Sequence, residues 1–265
     1  MTELLNRHGL RPDKSFGQNF LVDQNALNAI VAAAELRPDQ TVLEFGPGLG
    51  VLTRELAARA GRVLAVELDR RMVTVLEETT ESLDNVEILH QDALDFDYSL
   101  LPAGSSLVAN LPYNVATPLV TRALESGQLA RLVVMVQREV AERMRAGVGE
   151  SGYGAYSILI AHFARATIVR DVSPGCFLPP PAVTSSIVRL DVRAGVQPDP
   201  ELFTLVHTSF AHRRKTLRKN LIMAGYSGAT VLHALGSLQL NDRVRAEELS
   251  LDQFRLLLIA LKGAG

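Results

Sequence analysis

A chain of 265 residues, 47% of them hydrophobic, has the composition of an ordinary globular protein and the length for one large domain plus a small second one. Its formal charge of −2 argues against whole-molecule attraction to nucleic acid, so any such contact has to come from local clusters of Lys and Arg. The single cysteine, Cys176, excludes an internal disulfide, and with no apolar stretch of spanning length and no charged-then-apolar leader a soluble, cytoplasmic protein without a membrane partner is expected.

Taken in chain order, GQNFL (17–21) stands ahead of the first strand, between Lys14 and a helix-like run that begins near Asp23. It reads as a surface loop anchored by Phe16 and Phe20, with Arg7, Arg11 and Lys14 in reach of phosphates. From about residue 41 short β-branched runs, TVLEF, GRVLAVEL, NVEIL, SSLVANL and RLVVMVQ, alternate with helical patterns such as VLTRELAARA. Strands that are apolar at successive positions belong to a parallel sheet covered on both faces, so the fold class is α/β, a Rossmann-like doubly wound sheet. ARATIVRDV and SSIVRLDVR, separated by the turn-rich SPGCFLPPPAVT, read as an antiparallel pair at the sheet edge. A linker follows Arg193. The expected domains are therefore 1–193 and a small all-helical one over 199–265, in which Phe210, Leu217 and Leu221 share one buried helix face. Arg213, Arg214, Lys215, Arg218 and Lys219 then fall within two turns on the opposite face and are candidates for RNA phosphate contacts.

After the first strand comes Glu44-Phe45-Gly46-Pro47-Gly48-Leu49-Gly50. The spacing is GxGxG, and a dinucleotide-binding GxGxxG counted from Gly46 would need glycine where Val51 stands, which disfavours NAD. A glycine turn at a strand's C-terminal end still lets a ligand approach the backbone closely, as S-adenosylmethionine, which has no pyrophosphate, requires. The second strand ends on Glu67, placed to accept from ribose hydroxyls. Asp92, after the third, is placed to accept from an adenine amino group.

NLPYN (110–114) closes the next strand with an uncharged amide, a proline and a ring. The N6 amine of adenine shares its lone pair with the ring, which makes it a poor nucleophile, yet it needs no general base before attack. It needs placement. Asn110 Oδ1 and the carbonyl of Leu111 or Pro112 can accept from its two N–H groups, so that the nitrogen pyramidalises toward a sulfonium methyl and its developing charge meets neutral oxygen dipoles. Tyr113 supplies a face on which an extruded base can stack, and Phe177, in FLPPPAVTS (177–185), can cover the other face. The six histidines show no metal-ligand spacing, and no metal is expected.

With these residues in view, KSFGQNFL, EFGPGLGVLT, VELD, QDAL, NLPYN, FLPPPAVTS and FAHRRKTLRKNL together resemble the KsgA (RsmA) family of small-subunit ribosomal RNA adenine dimethyltransferases, in the family's order and over nearly the whole chain. The resemblance implies S-adenosylmethionine as donor and dimethylation at N6 of two adjacent adenosines near the 3′ end of 16S rRNA in an assembling small subunit; a monomer is expected. It implies a cofactor site lined by Asn19, Leu21, Gly46, Gly48, Glu67, Asp92 and Asn110, a flap made by GQNFL, and a ribosome-contacting helical tail. Three rivals remain open: an Erm-type enzyme acting on large-subunit RNA, an assembly factor whose binding matters more than its chemistry, and a DNA adenine methyltransferase.

Overall fold

The computed structural model describes residues 2–11 and 18–263, so the expectations for Lys14 and Phe16 lie outside the described residues. Two compact units divide the chain: 1–141 with 164–195, and 142–163 with 196–265.

In the first unit, α1 (Thr2–Arg7) and β1 (Phe20–Leu21) precede α2 (Gln24–Ala34). The chain then alternates through β2 (Thr41–Phe45), α3 (Val51–Ala57), β3 (Arg62–Glu67), α4 (Arg70–Thr80), β4 (Val86–His90), β5 (Ser105–Asn110), α5 (Ala116–Glu125) and β6 (Leu129–Gln137). After α6 (Arg138–Arg145), in which the division between the units falls, and α7 (Ala155–Phe163), it returns through β7 (Ala164–Val172), β8 (Phe177–Leu178) and β9 (Ser185–Val192). The main sheet has the order β4-β3-β2-β5-β6-β9-β7, parallel from β4 to β6, with β9 antiparallel to both β6 and β7, so that β7 and β9 form the expected antiparallel pair at the sheet edge. The central strands read as unbroken apolar runs because both faces are covered. Val42, Leu43, Val63, Leu107, Val108 and Val133 are fully buried.

The chain runs outward from β2 through β3 to β4 and then returns to β5 on the other side of β2. That reversal is a topological switch point, and it opens a crevice beyond the carboxyl ends of β2 and β5. Each helix beside it is fixed by local chemistry. Asp23 caps α2 by accepting from the Ala26 amide at 2.7 Å, and Asp69 caps α4 by accepting from the Arg71 amide at 3.0 Å. At the far end of α2, Arg131 of β6 and Arg189 of β9 donate to the terminal carbonyls of Ala34 and Ala33 at 2.8 and 3.3 Å, and both pair with Glu35 and Asp191. Two cations at a helix C-terminus satisfy carbonyls that have no partner within the helix.

The second unit differs from expectation in two ways. Residues 142–163, assigned by the sequence reading to the first domain, belong to it: Ile158 joins the helical core, and the Tyr153 hydroxyl donates to the Leu249 carbonyl at 2.8 Å. Next, 210–221 is not one helix. It divides into the end of α8 (Pro200–Phe210) and α9 (Leu217–Met223), which α10 (Gly228–Ser237) and α11 (Leu251–Gly263) follow. Thr216 caps α9 by accepting from the Lys219 amide, and buried Asn220 donates to the Ser209 and His212 carbonyls at 2.6 and 3.3 Å. Leu217 and Leu221 are fully buried and Phe210 packs against the same core, so the three share a core but not a helix face. Arg213, Arg214 and Lys215 lie exposed in the intervening turn, whereas Arg218 and Lys219 begin α9.

Candidate active site

A cavity of about 370 Å³ occupies the switch point, within the roughly 300–1,000 Å³ usual for small-molecule sites. The glycine turn after β2 forms its floor. Gly48 and Gly50 have φ of +55° and +74°, and a Cβ at Gly48 would stand 2.9 Å from the Phe20 ring. Glycine is needed there both for the left-handed backbone and for the close approach of β1.

Three carboxyl side chains line the cavity, and among the described residues its lining includes no Lys or Arg. Glu67, at the end of β3, is 7% exposed and accepts from the Gly48 and Asp69 amides at 3.1 and 2.9 Å. Burial pushes its carboxyl up, against the pull of those amides. Asp92, after β4, uses one oxygen to accept from the Leu94 amide at 2.8 Å. The third is Glu44, next to the end of β2, which is 2% exposed; its Oε2 has no hydrogen-bond partner. Burial pushes its carboxyl up to about 8, the neighbouring Thr53 hydroxyl acts the other way, and the charge of Glu67 adds to the rise. Phe45, Phe96 and Tyr98 stack edge to face behind this wall, with ring centroids 5.2–6.3 Å apart.

The opposite wall combines the end of β5 with the segment before α2. Asn110 Nδ2 donates to the Asn19 carbonyl at 3.0 Å, which fixes the amide and assigns Oδ1 as the atom left to accept. The Leu111 amide donates to Met135 of β6 at 3.2 Å, and the Pro112 carbonyl accepts from the Val115 amide at 3.2 Å to close the turn. Tyr113 lines the cavity, and its hydroxyl lies 2.5 Å from Ser185 Oγ. Residues 18–22 form a strap across one side. Gln18 donates to Asp69 at 3.0 Å, Phe20 and Leu21 pair antiparallel with Leu178 and Phe177, and the Val22 amide donates to the Cys176 carbonyl at 2.8 Å. Phe20 packs with Leu5 of α1 and Met72 and Val75 of α4.

Of the residues expected from sequence, Asn19, Leu21, Gly46, Gly48, Glu67, Asp92, Asn110, Leu111, Pro112 and Tyr113 all line the one cavity. Phe177 does not. It is 3% exposed and packs in the core with Leu21, Leu27 and Ile187. Arg7, offered as a phosphate contact, forms an ion pair with Glu78, which His8 also meets at 2.7 Å. The sequence reading missed Glu44, although a lone acid in the apolar run TVLEF was a visible signal.

These residues fit a cationic methyl donor. Among the described residues a pyrophosphate would meet three acids and no cation here, whereas the positive charge of a sulfonium and an ammonium group suits an acid-lined cavity. The sheet order and this cavity together define an α/β methyltransferase.

Comparison with known proteins narrows the class. The family model for ribosomal RNA adenine dimethylase matches residues 9–262, and the chain belongs to that family. The chain is 49% identical over 259 residues to ribosomal RNA small subunit methyltransferase A of Deinococcus radiodurans, covering 97% of this chain and 88% of the relative. It is 41% identical over 274 residues to the protein of the same name from Leuconostoc mesenteroides, covering 98% and 93%. Among solved structures it resembles a dimethyladenosine transferase from Plasmodium falciparum, with a TM-score of 0.82 at 28% identity and coverage of 93% and 98%. It also resembles the 23S rRNA methyltransferase ErmE, with a TM-score of 0.73 at 28% identity and coverage of 92% and 100%.

Proposed function

We propose that the chain transfers methyl groups from S-adenosylmethionine to N6 of two adjacent adenosines near the 3′ end of 16S rRNA in an assembling small ribosomal subunit. The observation that carries the reading is the oriented amide of Asn110, held by the Asn19 carbonyl at the rim of an acid-lined cavity. When bound, the donor supplies an electrophilic methyl on a sulfonium. Glu67 receives the ribose hydroxyls, Asp92 the adenine amine, and Glu44 the cationic amino-acid end, while the glycine turn at Gly46 and Gly48 lets the backbone close on the ligand. Asn19 and Leu21 of the strap cover it.

At the target nitrogen, Asn110 Oδ1 accepts one N–H. The second acceptor is the Leu111 carbonyl, since the Pro112 carbonyl is engaged in the turn. Two fixed oxygens tilt the amine so that its lone pair faces the methyl, and they meet the positive charge that develops on nitrogen, so placement does the work of a base. After transfer the acidified N–H gives its proton to solvent. Tyr113, the ring of the two that lines the cavity, supplies the stacking face. Arg213, Arg214, Lys215, Arg218 and Lys219 contact RNA phosphates, a contribution that weakens with salt.

The likeness to ErmE supports a second reading, methylation of large-subunit RNA. Incubation of the protein with unmethylated small and large subunits, followed by mass spectrometry of nuclease digests, tests both. Two dimethyladenosines in 16S rRNA are expected, and methylation confined to 23S rRNA would replace this proposal with the second reading.

A further inference from the structure

The Tyr113 ring that lines the cavity is held by a group outside it. Its phenol oxygen lies 2.5 Å from the hydroxyl of Ser185, the first residue of β9. Ser185 is fully buried, paired across the sheet with Gln137 of β6 on one side and Val172 of β7 on the other. A buried hydroxyl needs a partner, and a serine locked between two strands can shift little, so the bond anchors the ring and not the serine. The next residue reinforces the anchor: Ser186 Oγ, on the opposite face of the strand, donates to Asp171 of β7 at 2.6 Å. Tyr113 itself stands in a turn, with solvent on one side and cavity on the other, and a ring there would swing about its χ angles without a tether at its tip.

We infer that Ser185 is a positioning residue for methyl transfer: its hydroxyl holds the Tyr113 phenol so that the ring presents a fixed stacking face to the target adenine. The inference rests on the proposed stacking role of Tyr113. A base stacked on a loosely held ring still binds but samples the attack geometry less often, so the defect belongs in kcat and not in cofactor affinity.

The test is a double-mutant cycle in full-length protein, with single-turnover methylation of unmethylated small subunits, cofactor affinity by calorimetry and thermal melting as readouts. Ser185→Ala and Tyr113→Phe each remove one oxygen of the same bond. Each is expected to lower the transfer rate about tenfold, with cofactor affinity unchanged and a fall in melting temperature of a few degrees that leaves the protein folded at the assay temperature, and the double variant is expected to be no slower than either single one. Wild-type rates in both single variants, or losses that multiply in the double variant, would overturn the inference. Should Ser185→Ala fail to fold, Tyr113→Phe carries the rate comparison. Tyr113→Ala separates this inference from the reading beneath it. A slow Tyr113→Ala beside a fully active Tyr113→Phe and Ser185→Ala removes only the tether, while a fully active Tyr113→Ala removes the stacking role and the inference with it.

Discussion

Glu44 is the single side chain on which the proposed donor site predicts a pH dependence. An unpartnered carboxyl oxygen in a buried wall is costly as a charge, so in the empty protein the group keeps its proton up to about pH 8. In the unfolded chain it ionises near 4.5. The native state therefore holds a proton that the unfolded state has lost between those two values, and the empty protein loses stability as pH rises through that window. A cation arriving beside Glu44 reverses the balance by favouring the ionised form, and binding then releases the proton. Cofactor affinity is predicted to rise with pH below 8, by up to about tenfold per unit, and to level off above it. Calorimetry from pH 6 to 9 checks this. Glu44→Gln should flatten most of the slope, and an undiminished slope in that variant would assign the proton to another group.

Among elements, those set by local pattern were legible in the sequence and those set by tertiary contacts were not. The β-branched runs around Val42, Val63 and Val108 fix the parallel strands because the same residues bury both faces, and the order of Gly46, Glu67, Asp92 and Asn110 on successive strand ends follows from the doubly wound topology alone. The break between α8 and α9 was hidden because the apolar spacing of Phe210, Leu217 and Leu221 continues across it, while the interruption depends on Asn220 reaching back to two carbonyls. Phe177 was placed in the site from its proline-rich surroundings. Its burial among Leu21, Leu27 and Ile187 is a tertiary outcome that the local spacing does not carry. Since Asn220 is 3% exposed and satisfies Ser209 and His212, Asn220→Ala should destabilise the helical unit by about 1–3 kcal/mol. Urea unfolding followed by helical circular dichroism measures this. A loss within error would show that the turn is held without Asn220, by the Thr216 cap and the backbone bonds of Lys215 and Leu217.

At the scale of the whole molecule, a chain of charge −2 can act on a polyanion because its charge is unevenly distributed. Acids gather in the donor cavity of the first unit, whereas Arg213, Arg214 and Lys215 stand exposed in the second. In the proposed reaction, donor and target meet at a neutral rim: an amide, a backbone carbonyl and a ring, with no general base among them. The measurement that bears most directly on this is the single-turnover rate of methyl transfer to small subunits by Asn110→Ala, with donor affinity measured in parallel. Loss of one preorganised contact predicts a rate lower by about 10²-fold or more while the donor still binds within a few-fold of the parent. A variant that methylates at near the parental rate would contradict the account.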